Sequence, residues 1–412
     1  MSDKIQILKA KASGRQVIKI NPSTSSMVTV TTGQNLIKFN LPNSANLAGN
    51  VAFGFNVSNI AISGSTNPRL VSPAWGAIAR VVIKVGSVVV TDINEYGLLQ
   101  SIYSWYDNPD YWRASVGAVQ CGILPEATRN GAVAGTKRYV VPLLCDLFEQ
   151  ILPTKHLNQP VVIEIYMQQA NRALEADSGT LSAHTYTVSD MEIVADYVDD
   201  VQDLKMEGGF PFRLVRHQQD TLNSGVSSAS VQINDKVSSL THIVTALTRA
   251  DEETDSNSNN KFDNYYYSTM NSYQYKVNGK NYPDQPIDCT NGASEALNEA
   301  LSYFDNEWYD AHRGQSSGPA FNGLYYTADA SDETYDQGPK FVMCQSFSNL
   351  FQDNDRRDQF VIGSGVRTAS QSSSMQLILS KTAEAAAYNI HSWTTSDAVL
   401  LIDAAGNVSI QN

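Results

Sequence analysis

The chain has little of what most enzymes and metal proteins depend on. Four cysteines, Cys121, Cys145, Cys289 and Cys344, are spread over 412 residues. None forms a CxxC pair, and none lies near a histidine at zinc-ligand spacing, which argues against a zinc finger. Cys145 and Cys344 sit in apolar runs, so buried thiols are expected. The six histidines, His156, His184, His217, His242, His312 and His391, are scattered. No two are within helical or strand reach of each other in sequence, so no metal and no cofactor is expected. There is no GxSxG elbow, HExxH pair or Walker loop, and neither Gly208-Gly209-Phe210 nor 131–135 is a dinucleotide fingerprint. The expectation is therefore no enzyme and no catalytic residue. No run of eighteen apolar residues is present to span a membrane. The first residues lack the apolar centre of a secretory signal, and synthesis in a reducing cytosol is expected. Basic residues are the minority, 29 against 42 acidic, for a net charge of −13. A chain-wide footprint for nucleic acid is thus absent, and the acidic surplus serves solubility.

What is present is a repeat. Lys84-Val85-Gly86 lies in a Val-rich double strand, and Lys276-Val277-Asn278-Gly279 in a similar one. Tyr103 to Asn108 closes an apolar helical pattern, as does Ser302 to Asn306. Cys145-Asp146-Leu147-Phe148-Glu149 is matched by Ser348-Asn349-Leu350-Phe351-Gln352. Ser189-Asp190 opens the apolar run Met191 to Val198, and Ser396-Asp397 opens Ala398 to Ala405. The spacing between partners drifts from 192 residues at Lys84 and Lys276 to 207 at Asp190 and Asp397, as loop insertions would make it. Four landmarks in one order argue for two copies of one domain, each far longer than a solenoid repeat of roughly 20–50 residues.

Local signals are mostly β. Runs rich in β-branched residues recur at 17–21, 27–32, 35–41, 78–85, 161–167, 191–198, 240–247 and 340–344, among others. Asn278-Gly279 between Tyr-rich segments predicts a tight hairpin. Helical spacing covers 96–106 and 293–304, the latter with Ser294 as a cap and Leu297, Ala300, Leu301 and Phe304 on one face. A third helix is expected over 143–152. About eight strands and few helices per half, without α/β alternation, predict an all-β fold of two tandem eight-stranded jelly rolls with short helices and long loops. The expected division is an N-terminal arm over 1–25, a first roll over 26–205 and a second over 206–412, hinged at 199–209.

Long loops follow both helices, over 107–136 and 307–338, and read as interaction loops. Asp107 and Asp305 end the two helices and read as turn residues. The acidic run Asp251, Glu252, Glu253, Asp255 lacks the ligand spacing of an EF-hand loop and reads as a solvated tip. Tyr103, Trp105, Tyr106, Tyr111 and Trp112, with Tyr265, Tyr266 and Tyr267, could stack sugars or bases. Core packing and protein contact are the preferred reading. Lys4, Lys9, Lys11 and Arg15, interleaved with Ile5, Ile7 and Leu8, form a small basic segment suited to an anionic surface.

Several segments resemble the double jelly-roll major capsid proteins of icosahedral viruses. Gly33 to Pro42 looks like the first core strand of that family. Val141-Pro142-Leu143-Leu144, followed by Leu147-Phe148 and Leu152-Pro153, looks like its strand-and-helix element. Residues 161–167 and 191–197 look like the closing strands of the first roll. The resemblance implies a structural protein whose homotrimers, pseudo-hexameric in outline, tile an icosahedral shell. It implies as partners other copies of the chain, penton and minor capsid proteins, and an internal membrane reached through the N-terminal arm, with no sequence-specific nucleic acid. The implied place is the virion capsid, assembled in the host cytoplasm, or the nucleus of a eukaryotic host. Two other classes compete: a tandem β-sandwich that binds or cleaves carbohydrate, and a surface adhesin.

Overall fold

A computed structural model describes residues 14–33, 35–63, 68–106, 113–122, 136–176, 184–199, 207–251, 264–290, 292–303, 340–347, 365–369 and 374–412. The first half supplies β1 (Arg15–Ile20), β2 (Met27–Val30), β3 (Asn35–Asn40), β4 (Asn46–Ile62), β5 (Arg69–Leu70), β6 (Ile78–Val85), β7 (Val88–Asn94), helix α1 (Tyr96–Tyr106), β8 (Lys137–Pro142), β9 (Val161–Met167), β10 (Leu174–Glu175) and β11 (His184–Val198). The second half supplies β12 (Gly208–Leu222), β13 (Ser228–Gln232), β14 (Leu240–Arg249), β15 (Met270–Val277), β16 (Lys280–Asp288), helix α2 (Ser294–Tyr303), β17 (Val342–Ser346), β18 (Met375–Lys381), β19 (Tyr388–Ile402) and β20 (Val408–Gln411).

The repeat is visible in the strand order. In the first half, one sheet runs β7-β6-β9-β3 and the other runs β8-β4-β11, with β1 and β2 both along β11. In the second half, one sheet runs β16-β15-β18-β13 and the other β17-β14-β19-β12. The two lists coincide strand for strand once β12 is set against β1 and β2 together. Each half is an eight-stranded jelly roll. The landmarks fall where a duplication puts them. The turn at Gly86 joins Val85 to Val88, and the turn at Asn278-Gly279 joins Val277 to Lys280. Both turn residues of the latter have positive φ, 54° and 81°, as a tight primed hairpin requires. The helices α1 and α2 follow equivalent strands. The Ser348 landmark lies outside the described residues.

The strands form for visible reasons. β6 and β9 are interior strands: one face of each, Ala79, Val81, Ile83 and Val85 with Val161, Ile163, Ile165 and Met167, is wholly buried, and on the other Lys84 pairs with Glu164 at 2.8 Å. In the first roll, Phe53 of β4 links the two sheets. Its ring stacks on Phe55 at 4.8 Å and meets Phe39 of β3 edge-on at 5.9 Å. In the second roll the equivalent bridge is polar: the buried Tyr275 hydroxyl lies 2.9 Å from Thr245 Oγ1 and 3.1 Å from the Met343 carbonyl. Helix α1 is buried almost all round, from Tyr96 to Tyr106, which explains why it carries no charge. On α2 the buried stripe is Ala296 and Ala300, continued by Ala293 just before the helix, with Leu297 half-buried beside it.

Three expectations need correction. Residues 15–20, placed in the arm over 1–25, form β1 and pair with β11 from Arg15↔Val198 to Ile20↔Ile193. Lys19 also reaches Glu192 at 2.9 Å, and Arg15 pairs with Asp196. The run 17–21 marks the strand itself; what the local pattern lacks is its partner, β11, which lies at the far end of the first roll. The third helix over 143–152 is a single 3-10 turn, Asp146–Glu149, because Pro142 and Pro153 bracket a segment whose backbone bonds to β4 instead. Ser294 is the first residue of α2 rather than its cap.

Candidate functional site

The groups most able to do chemistry are spread through the fold. The described thiols are free, and Cys121, Cys289 and Cys344 are buried. Burial pushes Cys121, Cys145 and Cys289 up to about 12, and Cys344 well above its ordinary value. Such thiols are poor nucleophiles and poor ligands at neutral pH. Among the described residues, no three His, Cys, Asp or Glu side chains stand together to hold a metal ion. His312, Asp107, Asp305 and the acidic run from Glu252 onward lie outside the described residues. Asp251 is exposed and pairs with Arg249 at 2.6 Å.

One histidine contact was hidden from sequence reasoning. His217 Nε2 lies 3.1 Å from His391 Nδ1, across 174 residues of chain. His391 Nε2 is 3.0 Å from Thr248 Oγ1, and both imidazoles pack on Trp393. Strands β12 and β19 bring them together, with His217 directly opposite Trp393 in the ladder. No spacing rule reports a contact set by long-range strand pairing. His156 Nε2 donates to the Asp403 carbonyl at 3.1 Å, again joining the two halves.

These contacts belong to the seam between the rolls. The sheet β17-β14-β19-β12 of the second roll continues into β7-β6-β9-β3 of the first. The strands that meet are β12 and β7, parallel, with one registered pair, Arg216↔Asp92. Asp92 accepts two hydrogen bonds from Arg80, at 2.7 and 2.6 Å. Around this pair, Trp393 Nε1 donates to the Asn94 carbonyl at 3.5 Å, and Gln150 Nε2 to the Pro211 carbonyl at 2.7 Å. The Tyr106 hydroxyl donates to the Lys340 carbonyl. Asp146 accepts the Arg213 N–H at 3.1 Å. Burial, only partly offset by Arg213, raises this carboxyl to about 6. The turn after β19 closes the seam: Asn158 N–H donates to the Gly406 carbonyl at 3.1 Å. The described aromatics follow the packing reading. Tyr106, Tyr265 and Tyr266 are buried, Tyr103 is half-buried, and the Lys340 ammonium sits 5.1 Å over the Tyr265 ring. Tyr111 and Trp112 lie outside the described residues.

The surface differs. Exposed large apolar side chains stand on the edge strands of the first roll, Val17 on β1 at 62% and Met27 on β2 at 60%. Val119, at 78%, stands on the described part of the first long loop. The second long loop, 307–338, lies outside the described residues. No helix of the described residues is long and apolar enough to cross a membrane. The arrangement offers interfaces between blocks and no cleft with converging reactive groups among the described residues.

No protein-family model matches the sequence, and no curated protein is detectably similar to it. Solved structures do match. A chain of the PBCV-1 virus capsid superimposes with a TM-score of 0.62 at 12% identity, over 98% of this chain and 98% of that one. The Faustovirus major capsid protein gives 0.61 at 10% identity, over 96% and 92%. A chain of the Sputnik virophage gives 0.57 at 12%, over 98% and 89%. At such identities the likeness is one of fold, but it spans both rolls and the joint between them. The fold of this chain is the double jelly roll found in viral major capsid proteins.

Proposed function

We propose that the protein is a viral major capsid protein, a structural unit of the shell and not an enzyme. One observation carries the reading: the duplicated roll, with its side-by-side joint, is shared end to end with a PBCV-1 capsid chain. A protein built of two similar blocks with little reactive chemistry is suited to tiling. Three chains bring six similar rolls and fill a hexagonal position in an icosahedral lattice. The first roll occupies about residues 26–205, joined by β1, and the second 206–412. The paired long loops suit contacts between subunits. Partners in this reading are other copies, and penton and minor proteins at the vertices. The basic segment before Arg15 faces the particle interior, where anionic lipid would suit it, each cation contributing on the order of 1 kcal/mol. The place of action is the virion capsid, assembled in the host cytoplasm or nucleus. Mass measurement of the purified protein and electron microscopy test this directly. Trimers and ordered shells are expected; a stable monomer that never assembles overturns the proposal. Protease that trims the first residues from intact particles refutes the inward arm alone.

A further inference from the structure

The seam between the rolls carries two imidazoles in direct contact. His217 Nε2 and His391 Nδ1 are 3.1 Å apart, and the rings stack with centroids 5.4 Å apart and planes at 20°. His391 has no exposed surface. Its other nitrogen, Nε2, lies 3.0 Å from Thr248 Oγ1. Both rings pack on Trp393, at 5.2 and 5.9 Å. The pair sits where a strand of one roll meets a strand of the other. His217 follows Arg216, whose registered partner is Asp92 of β7. Trp393 donates to the carbonyl of Asn94, the last residue of β7.

One proton can lie between the facing nitrogens, donated by one ring and accepted by the other. A first added proton keeps that bond and strengthens it by charge. A second leaves two N–H groups aimed at each other and two cations in stacked contact, one of them wholly buried. We propose that the His217–His391 pair is an acid-sensitive latch: closed at neutral pH, it holds β12 to β19 and so the second roll to β7, and acidification opens it. The latch lies within one chain and does not depend on what that chain assembles into.

The charges on the surrounding elements have other partners. Arg216 of β12 bonds to Asp235, and Asp92 of β7 to Arg80. Glu95, next to Asn94, pairs with Arg172. Further along β12, Asp220 accepts the Thr221 N–H. On β14, Arg249 pairs with Asp251, and His242 stands four residues before Ala246, the residue opposite His391. Glu384, just before β19, bonds to Tyr388 and Lys381, and Asp397 on β19 accepts the Ser239 hydroxyl at 2.6 Å. Asp146, bonded to the Arg213 N–H, is a further seam group that titrates near neutrality. Burial raises it to about 6, so its contribution to stability is present in acid and lost as pH rises. A loss on acidification has the opposite sign and cannot come from Asp146.

In the unfolded chain each histidine gains its proton as pH falls through about 6.5. A proton that the folded pair refuses shifts the opening equilibrium by up to about tenfold per pH unit below that value. Hydrogen exchange of the β12 amides in the full chain measures this opening, read by mass spectrometry and corrected for the intrinsic rate at each pH. Between pH 7 and pH 5 the opening is expected to rise at least about tenfold, while β6 and β9 stay protected. His217→Gln keeps a hydrogen-bonding side chain at a half-buried position and cannot take the charge. In that variant the rise is expected to fall below about threefold. A second measurement needs no substitution. In NMR of histidine-labelled protein, one imidazole of the pair is expected to stay neutral at pH 5. Wild-type and His217→Gln proteins with the same rise, or two charged imidazoles at pH 5 with β12 still protected, overturn the latch.

Discussion

Truncating Phe53 to alanine removes the ring that ties the two sheets of the first roll together. The side chain has no exposed surface. It stacks on Phe55 at 4.8 Å, with planes 20° apart, and meets Phe39 of the facing sheet at 5.9 Å. A buried Phe→Ala change costs about 3–5 kcal/mol through lost transfer energy and the cavity left behind. Two aromatic contacts, each about 0.5–1.5 kcal/mol beyond burial, place this site in the upper part of that range. Folded domains are stable by only about 5–15 kcal/mol, so the first roll becomes marginal while the second keeps its own core. Phe53→Leu retains most of the volume and loses chiefly the ring contacts, for about 1–2 kcal/mol. Urea unfolding followed by tryptophan fluorescence reads this, because Trp75 is buried in the first roll. Two rolls are not one two-state unit, so the midpoint of each transition is compared separately. A loss below about 1 kcal/mol for Phe53→Ala, or equal losses for Ala and Leu, would refute the bridging role.

Tyr275→Phe is expected to destabilise the second roll by about 1 kcal/mol, since Thr245 keeps Ser392 as a partner at 3.0 Å while the Met343 carbonyl loses a donor; calorimetry of the same two transitions checks it. Asp146 has a folded-state value near 6 against 3.8 when free, so its contribution is fully present below about pH 4 and is lost as pH rises through about 6. Asp146→Asn keeps an acceptor for the Arg213 N–H and should flatten that part of the stability–pH profile, measured by denaturation at successive pH values. The four cysteines should react with a thiol reagent far more slowly in the folded protein than in urea, because burial holds the described thiols protonated; fast native labelling of Cys121 or Cys289 would contradict their placement.

The parts of the fold legible in sequence were those whose burial leaves a strong pattern. The runs 78–85 and 161–167 match β6 and β9 end to end, because interior strands are mostly apolar, here Val and Ile broken by Arg80, Lys84, Glu164 and Tyr166. Helix α1 matches 96–106 for the same reason. Strand β12 was missed. Its residues Arg213, Arg216, His217, Gln218, Gln219 and Asp220 look like a surface loop, yet fifteen consecutive residues pair with β19. The first part of β19 was missed likewise: Asn389, His391, Ser392, Thr394, Thr395 and Ser396 are polar but buried, and Ser392, His391 and Thr394 bond to Thr245, Thr248 and Asp235 in turn. β16 was obscured by Pro283 and Pro286, which an edge strand tolerates. The seam was illegible altogether, because its contacts join residues brought together only by the packing of one roll on another.

The turn at Asp403 comes late in the order of synthesis. Every strand of the first roll lies before Asp199, so that roll can close while the second is still being made. The next strand out is β12, and the edge it needs, β7, is already waiting. Its other partner, β19, comes almost at the end of the chain. The turn that follows carries Gly406 against the first roll, so closely that a Cβ there would lie 2.2 Å from the His156 carbonyl. Asp403 shapes it by accepting the Ala405 and Asn407 N–H groups at 2.9 and 2.8 Å. This contact joins a segment that follows β19 to the His156 segment of the first roll, so its two sides are made far apart in time. It therefore acts as a seal of completion, and a chain released before these residues are made would present its two rolls without the last tie between them.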